Sequence, residues 1–252
     1  MKATVGGKRS RREFLEAAGA IAAGVVFASI PVGARKAGGA EGADVKIGVI
    51  GSGRIGGTLG ALWVKAGHEV MFSARDLDPV QKLIAGLGTR AHAGTPQEAA
   101  AFGDVILISV PYGALPQLGR DLAGDLTGKV VLDTCNPSPG RDGEMAVAAR
   151  AKGTGVASPE LLPGVRLVRA FNTVPAGALR SEANRTGDRV AIPLAGDDEA
   201  ALKIAVRLVE EAGFEPVVVG TLARAKEFDT GTPVYGKDLT ALELRQGLGI
   251  GS

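Results

Sequence analysis

One cysteine, two histidines, one tryptophan and two tyrosines are all that 252 residues hold of those types, and aromatics make up only 4% of the chain. A single cysteine, Cys135, closes no disulfide within the chain, so stability rests on a packed core whatever the redox state of the compartment. Two histidines and one cysteine form no cluster with metal-ligand spacing. Neither sign of charge dominates: 29 Lys and Arg against 27 Asp and Glu leave a net +2. Several of the positive charges lie near the N-terminus, so the remainder is close to neutral. That balance offers no footing for nucleic acid or an anionic membrane surface. The apolar run Ala17–Ile30, about 14 residues, falls short of the roughly 20 that a bilayer-spanning helix needs.

That run is the middle of an ordered series. Ser10-Arg11-Arg12-Glu13-Phe14-Leu15 precedes it and has the form of a bacterial twin-arginine export signal. Ala17–Ile30 suits the apolar region of such a signal, Val32-Gly33-Ala34 offers small residues for cleavage, and the Gly/Ala stretch to Ala43 reads as a flexible leader. The expected division is therefore a signal and leader over residues 1–43 and one domain over residues 44–252, periplasmic or otherwise exported. No stable membrane span is expected once the signal is removed.

From Val45 on, short apolar runs alternate with helical stretches, which predicts an α/β fold: a doubly wound, mostly parallel sheet with a small C-terminal extension. Strands are expected at Val45–Ile50, Glu69–Ala74, Asp104–Val110, Lys129–Asp133, Arg166–Phe171, Asp188–Ala195 and Glu215–Val219. Helices are expected after the first strand to about Ala66, at Pro79–Ala85, at Thr95–Ala101 with Thr95 as N-cap, at Glu199–Ala212, and near Leu239–Gln246.

Gly51-Ser52-Gly53-Arg54-Ile55-Gly56 matches G-x-G-x-x-G, and it sits between a buried strand and an apolar-periodic helix, the context a dinucleotide fingerprint requires. Gly51 permits the tight turn, Gly53 lets a pyrophosphate approach the backbone, and Gly56 lets helix and strand pack closely. The helix N-terminus adds free N–H groups and partial positive charge. The second strand ends Met71-Phe72-Ser73-Ala74-Arg75, with no carboxylate where an NAD site holds the ribose hydroxyl. Arg75 can pair with a 2′-phosphate and Ser73 can donate a hydrogen bond, which favours NADP. Asp76 leaves another course open, as a partner for Arg75 or for a 2′-hydroxyl.

In such a sheet the ligand lies outside the carboxyl ends of the strands. Those ends carry Val110-Pro111, Thr134-Cys135-Asn136-Pro137 and Phe171-Asn172, apolar walls with short polar groups that suit a nicotinamide ring. His68 and His92 fall away from this rim, so no general acid or base is expected there and no catalytic side chain is assigned. Hydride transfer between two bound cofactors needs mainly alignment.

Lys46 to Arg75, Val110-Pro111-Tyr112, Asp133 to Pro137, Val168-Arg169-Ala170-Phe171-Asn172-Thr173 and Gly196-Asp197-Asp198 occur in the order seen in the coenzyme F420H2:NADP oxidoreductase family. That family is related to the N-terminal domain of pyrroline-5-carboxylate reductase and the cytosolic domain of the STEAP metalloreductases. The likeness covers nearly all of Val45 to Tyr235, and the tail Leu248-Gly249-Ile250 is similar. The resemblance implies that Ser52 to Ile55 and Ala74-Arg75 bind NADP, and that the Val110, Asn136 and Asn172 regions line a nicotinamide and deazaflavin site. The expected activity is hydride transfer between NADP(H) and F420 or a flavin, a small-molecule co-substrate. A flavin-linked ferric or cupric reductase and a non-catalytic dinucleotide-binding module are the alternatives. A homodimer is the expected assembly.

Overall fold

The structure, a computed structural model, describes residues 44–251; the twin-arginine series and the leader to Ala43 lie outside the described residues. The chain enters as β1 (Lys46–Ile50), α1 (Arg54–Ala66), β2 (Glu69–Ser73), α2 (Asp78–Ile84), β3 (Ala91–Gly94), α3 (Pro96–Phe102) and β4 (Val105–Ile108). It continues through α4 (Leu115–Asp121), α5 (Ala123–Leu126), β5 (Val130–Asp133), α6 (Pro139–Asp142), α7 (Glu144–Lys152), α8 (Thr154–Leu161) and β6 (Arg166–Arg169). It closes with α9 (Ala176–Ser181), β7 (Ala191–Gly196), α10 (Glu199–Glu211), β8 (Glu215–Gly220) and α11 (Ala241–Leu248).

The strands form one sheet in the order β3-β2-β1-β4-β5-β6-β7-β8. β1 through β6 pair parallel, β7 runs antiparallel to β6, and β8 is parallel to β7. This is the expected doubly wound, mostly parallel sheet. The winding reverses between β1 and β4, and a ligand crevice belongs at that reversal. β3 is absent from the sequence reading, because Ala-His-Ala-Gly has little strand propensity of its own. It forms because β2 offers it a partner along four residues, from Val70↔Ala91 to Ser73↔Gly94.

Local signals set the best-defined helices. Thr95 caps α3 with a full capping box, its side chain accepting from the Glu98 amide while Glu98 reaches back. Asp198 caps α10 through the Ala201 amide. Alternate strand residues face opposite layers. Ile47, Val49, Val70 and Phe72 bury against Leu59, Trp63 and Leu208, whereas Ile106 and Ile108 bury with Ala99, Tyr112 and Leu115. Trp63 is fully buried and its indole N–H donates to the Leu208 carbonyl at 2.8 Å, so α1 and α10 are joined by a satisfied polar contact inside an apolar layer. No helix among the described residues is long and apolar enough to cross a membrane.

Candidate functional site

The phosphate loop leaves β1 and turns directly into α1. Gly51 holds φ at +99°, and a Cβ there would meet the Ser109 carbonyl oxygen at 2.3 Å, so the loop lies against the end of β4. The Gly51 and Ser52 amides donate to the Ser73 carbonyl at 3.1 and 2.9 Å, which ties the loop to β2. A Cβ on Gly56 would stand 2.2 Å from the Gly51 carbonyl, the close packing read from the motif. A Cβ on Gly53 would meet nothing within 4 Å. That empty space is where a pyrophosphate would approach. The N-terminus of α1 has no side-chain cap, and the buried Ser52 hydroxyl has no hydrogen-bond partner. Uncapped amides and an orphaned hydroxyl fit a phosphate ligand.

At the end of β2 the two polar candidates separate. Ser73 is fully buried and its hydroxyl donates to the Val49 carbonyl at 2.8 Å. Its proton is therefore spent inside the sheet, and Ser73 braces β1 to β2 without reaching a ribose phosphate. Ala74 leads out of the strand, and Arg75 is exposed with no ion pair among the described residues. The Asp76 carboxylate accepts from the Asp78 amide at 3.1 Å, at the start of α2, and does not neutralise Arg75.

A cleft of about 800 Å³ opens beyond the carboxyl ends of β1, β4 and β5, within the usual range for small-molecule sites. Gly53, Arg54 and Ile55 form one wall, Ser109, Val110 and Pro111 another, and Thr134 to Ser138 a third. Neither histidine lines it. His68 is buried at the far end of β2, where its Nδ1 accepts from the Val45 amide, so that Nε2–H faces the Glu211 carboxylate at 2.8 Å. His92 lies within β3 and packs against Phe102. The Cys135 thiol is buried, and burial pushes its pKa well up, which keeps it protonated.

Phe171 and Asn172 do not line the cleft. β6 stops at Arg169, two residues short of the expected end at Phe171, and Phe171 takes a left-handed φ of 58°. That turn drops its ring into the core, edge-on to Trp63 and Phe214 at 6.2 and 6.1 Å. Asn172 is buried behind the rim, where its carbonyl accepts from Asn136 Nδ2 at 2.8 Å. Asn136 itself stays on the cleft and also donates to the Tyr235 hydroxyl at 3.3 Å.

The fold adds groups that no local motif announced. Arg141 on α6, Arg150 on α7, Pro175 to Gly177, Thr230 and Tyr235 all line the cleft. Arg169 holds the rim from beneath. Its guanidinium is fully buried, 2.7 Å from the fully buried Asp133 carboxylate, and donates to the Asp133 and Cys135 carbonyls at 3.1 and 2.9 Å. The nearby acids Asp133 and Asp229 hold its charge against the cost of burial. Removing one member of such a pair typically costs about 3–5 kcal/mol, because the other charge is left buried and alone. Arg169 thereby fixes the Thr134–Asn136 turn on which the cleft depends. Local sequence assigns Arg169 no role; its pairing with Asp133 comes from the β5–β6 register.

Residues 46–137 match the family model described as NADP oxidoreductase, coenzyme F420-dependent. The chain is 29% identical over 204 residues to the F420-dependent NADP reductase of Methanothermobacter thermautotrophicus, covering 75% of this chain and 87% of that one. It is 30% identical over 188 residues to Metalloreductase STEAP3 of Rattus norvegicus, covering 73% of this chain but spanning only 36% of that protein's length. Among solved structures, a hypothetical protein from Sinorhizobium meliloti superposes with a TM-score of 0.67 at 25% identity, over 78% of this chain and 95% of that one. The phosphate loop, the strand order and these matches agree: residues 46–137 form a dinucleotide-binding region similar to that of the coenzyme F420-dependent NADP oxidoreductases.

Proposed function

We propose that this NADP-dependent oxidoreductase passes hydride between NADP(H) and a second planar cofactor, a deazaflavin such as F420 or a flavin. The observation that carries the reading is the make-up of the cleft. Val110, Pro111 and Asn136 offer apolar and amide surface beside the phosphate loop, and no histidine, lysine or carboxylate is among the lining residues. When bound, the two cofactors supply the redox chemistry themselves. The chain's part is to hold and align. The uncapped α1 N-terminus and the Ser52 hydroxyl suit the pyrophosphate, and the unpaired Arg75 suits the 2′-phosphate. The Arg169-braced turn keeps Asn136 in place. The F420-dependent relative supports a deazaflavin as the second cofactor.

Likeness to a metalloreductase favours one other reading, a flavin-linked ferric or cupric reductase. Among the described residues no three His, Cys, Asp or Glu side chains stand close enough together to hold a metal ion. A metal would then be reduced at the cleft mouth by bound flavin. Stopped-flow oxidation of NADPH by the full chain, run with F420, with FMN, and with FMN plus ferric citrate, separates the readings. Single-turnover oxidation with F420 or FMN alone is expected. Turnover only when ferric ion is present would favour the metal reductase, and NADPH binding without turnover in any arm would leave a binding module.

The Ser10–Ile30 series further supports export by the twin-arginine route, with delivery of the folded domain to the periplasm or beyond.

A further inference from the structure

We propose that the second ligand of this cleft is an anion, a planar redox cofactor whose phosphate- or carboxylate-bearing tail is held by Arg150 with Arg141 beside it. The proposal rests on the two-cofactor reading of the cleft. Three arginines line the cleft, and no carboxylate does. Arg54 opens α1 and belongs to the phosphate-loop wall, where NADP's own phosphates would fall. Arg141 and Arg150 lie on α6 and α7, on the wall that follows β5. They are guanidinium groups beyond those the dinucleotide fingerprint uses.

Both side chains are pre-set by the rim turn. Arg141 Nη2 donates to the Asn136 carbonyl at 2.9 Å, and Arg150 Nε donates to the next carbonyl, Pro137, at 3.1 Å. Their charges differ in availability. Arg141 forks onto Asp142 through Nε and Nη2, and the Asp142 side chain is itself only 2% exposed. Arg141 is therefore a neutralised post. Arg150 has no acidic partner among the described residues, and neither of its terminal nitrogens has a hydrogen-bond partner there. Two free N–H-bearing nitrogens on a fixed guanidinium match the fork that binds phosphate or carboxylate. The same charge disfavours a hydrated metal cation as the species that enters.

FMN and riboflavin share one ring and differ in the phosphate, which makes them the probe. Fluorescence titration of the NADP⁺-loaded full chain is expected to find FMN bound about tenfold or more tightly than riboflavin, the effect of one charge-assisted contact. The preference should shrink with added salt. In Arg150→Gln it should vanish, with riboflavin binding and the thermal unfolding midpoint unchanged. F420 and its tail-free chromophore form the parallel arm, and the stronger of the two arms tells deazaflavin from flavin. Equal binding within both pairs would overturn the proposal while leaving the two-cofactor reading intact. So would a preference that survives Arg150→Gln. Binding of none of the four would overturn the two-cofactor reading, and the anion proposal with it.

Discussion

Arg75 and Gly53 test the NADP site with opposite kinds of change. Arg75 is exposed and free of acidic partners among the described residues, so its removal costs the fold little. A charge-assisted contact to a 2′-phosphate contributes roughly 1.5–3 kcal/mol, and Arg75→Ala should weaken NADP binding about 10- to 150-fold by calorimetry. NAD binding should hardly change. Equal losses for both nucleotides would mean that Arg75 shapes the loop and reads no phosphate. Gly53 is an N-cap with open space above it. Gly53→Val should abolish binding of both nucleotides while lowering stability by no more than about 2 kcal/mol, the upper end of N-cap effects. Retained NADP binding would remove the pyrophosphate from that space.

At the scale of elements, Gly56 behaves unlike its neighbour three residues earlier. Its missing Cβ lets α1 settle on the loop, and the atom in the way, the Gly51 carbonyl oxygen, is backbone. Gly56→Ala should cost about 1–3 kcal/mol in chemical unfolding and weaken NADP binding in the same variant. An unchanged unfolding midpoint would mean that α1 shifts freely. α6 is held by a different device. The Asp142 carboxylate pairs with Arg141 and accepts from the Ser138 and Gly113 amides, joining the segments after β4 and β5. The Arg141 hydrogen bond, with those amides, pulls its pKa from near 3.8 down to about 2. A lowered carboxylate pKa stabilises the fold above its ordinary value, and that stabilisation is lost as pH falls toward the folded value. Thermal midpoints should drop between about pH 4 and pH 2 in the native chain, and less so in Asp142→Asn. Parallel curves would remove Asp142 from the acid response.

For the whole molecule, the export reading and the cofactor reading meet. A chain delivered folded can carry a tightly bound dinucleotide with it. Arg11→Lys with Arg12→Lys should retain the protein in the cytoplasm on cell fractionation, and unchanged delivery would end the twin-arginine reading. Delivered protein is expected to release NADP on denaturation, detectable by chromatography of the supernatant.

The features legible from sequence are those that short stretches encode. The strand, glycine loop and helix from β1 through α1 follow from an apolar run, three glycines and helical spacing. Thr95 and Pro96 mark the start of α3, and a long apolar periodicity marks α10. Sheet class followed as well, because βα alternation leaves few other ways to bury both faces. What tertiary structure decided is which distant segments share a surface. β7 reverses direction against β6, and β3 exists only because β2 pairs with it. Phe171 leaves the rim for the core because the chain turns left-handed after Arg169. Asn136 and Tyr235 touch across 99 residues, and Arg141 and Arg150 gather on the same rim turn. No periodicity spans such separations. Local propensity reports the hydrogen bonds and packing of one element, whereas the cleft is made where strand order brings several elements' ends together, and that order is set by long-range packing of the sheet.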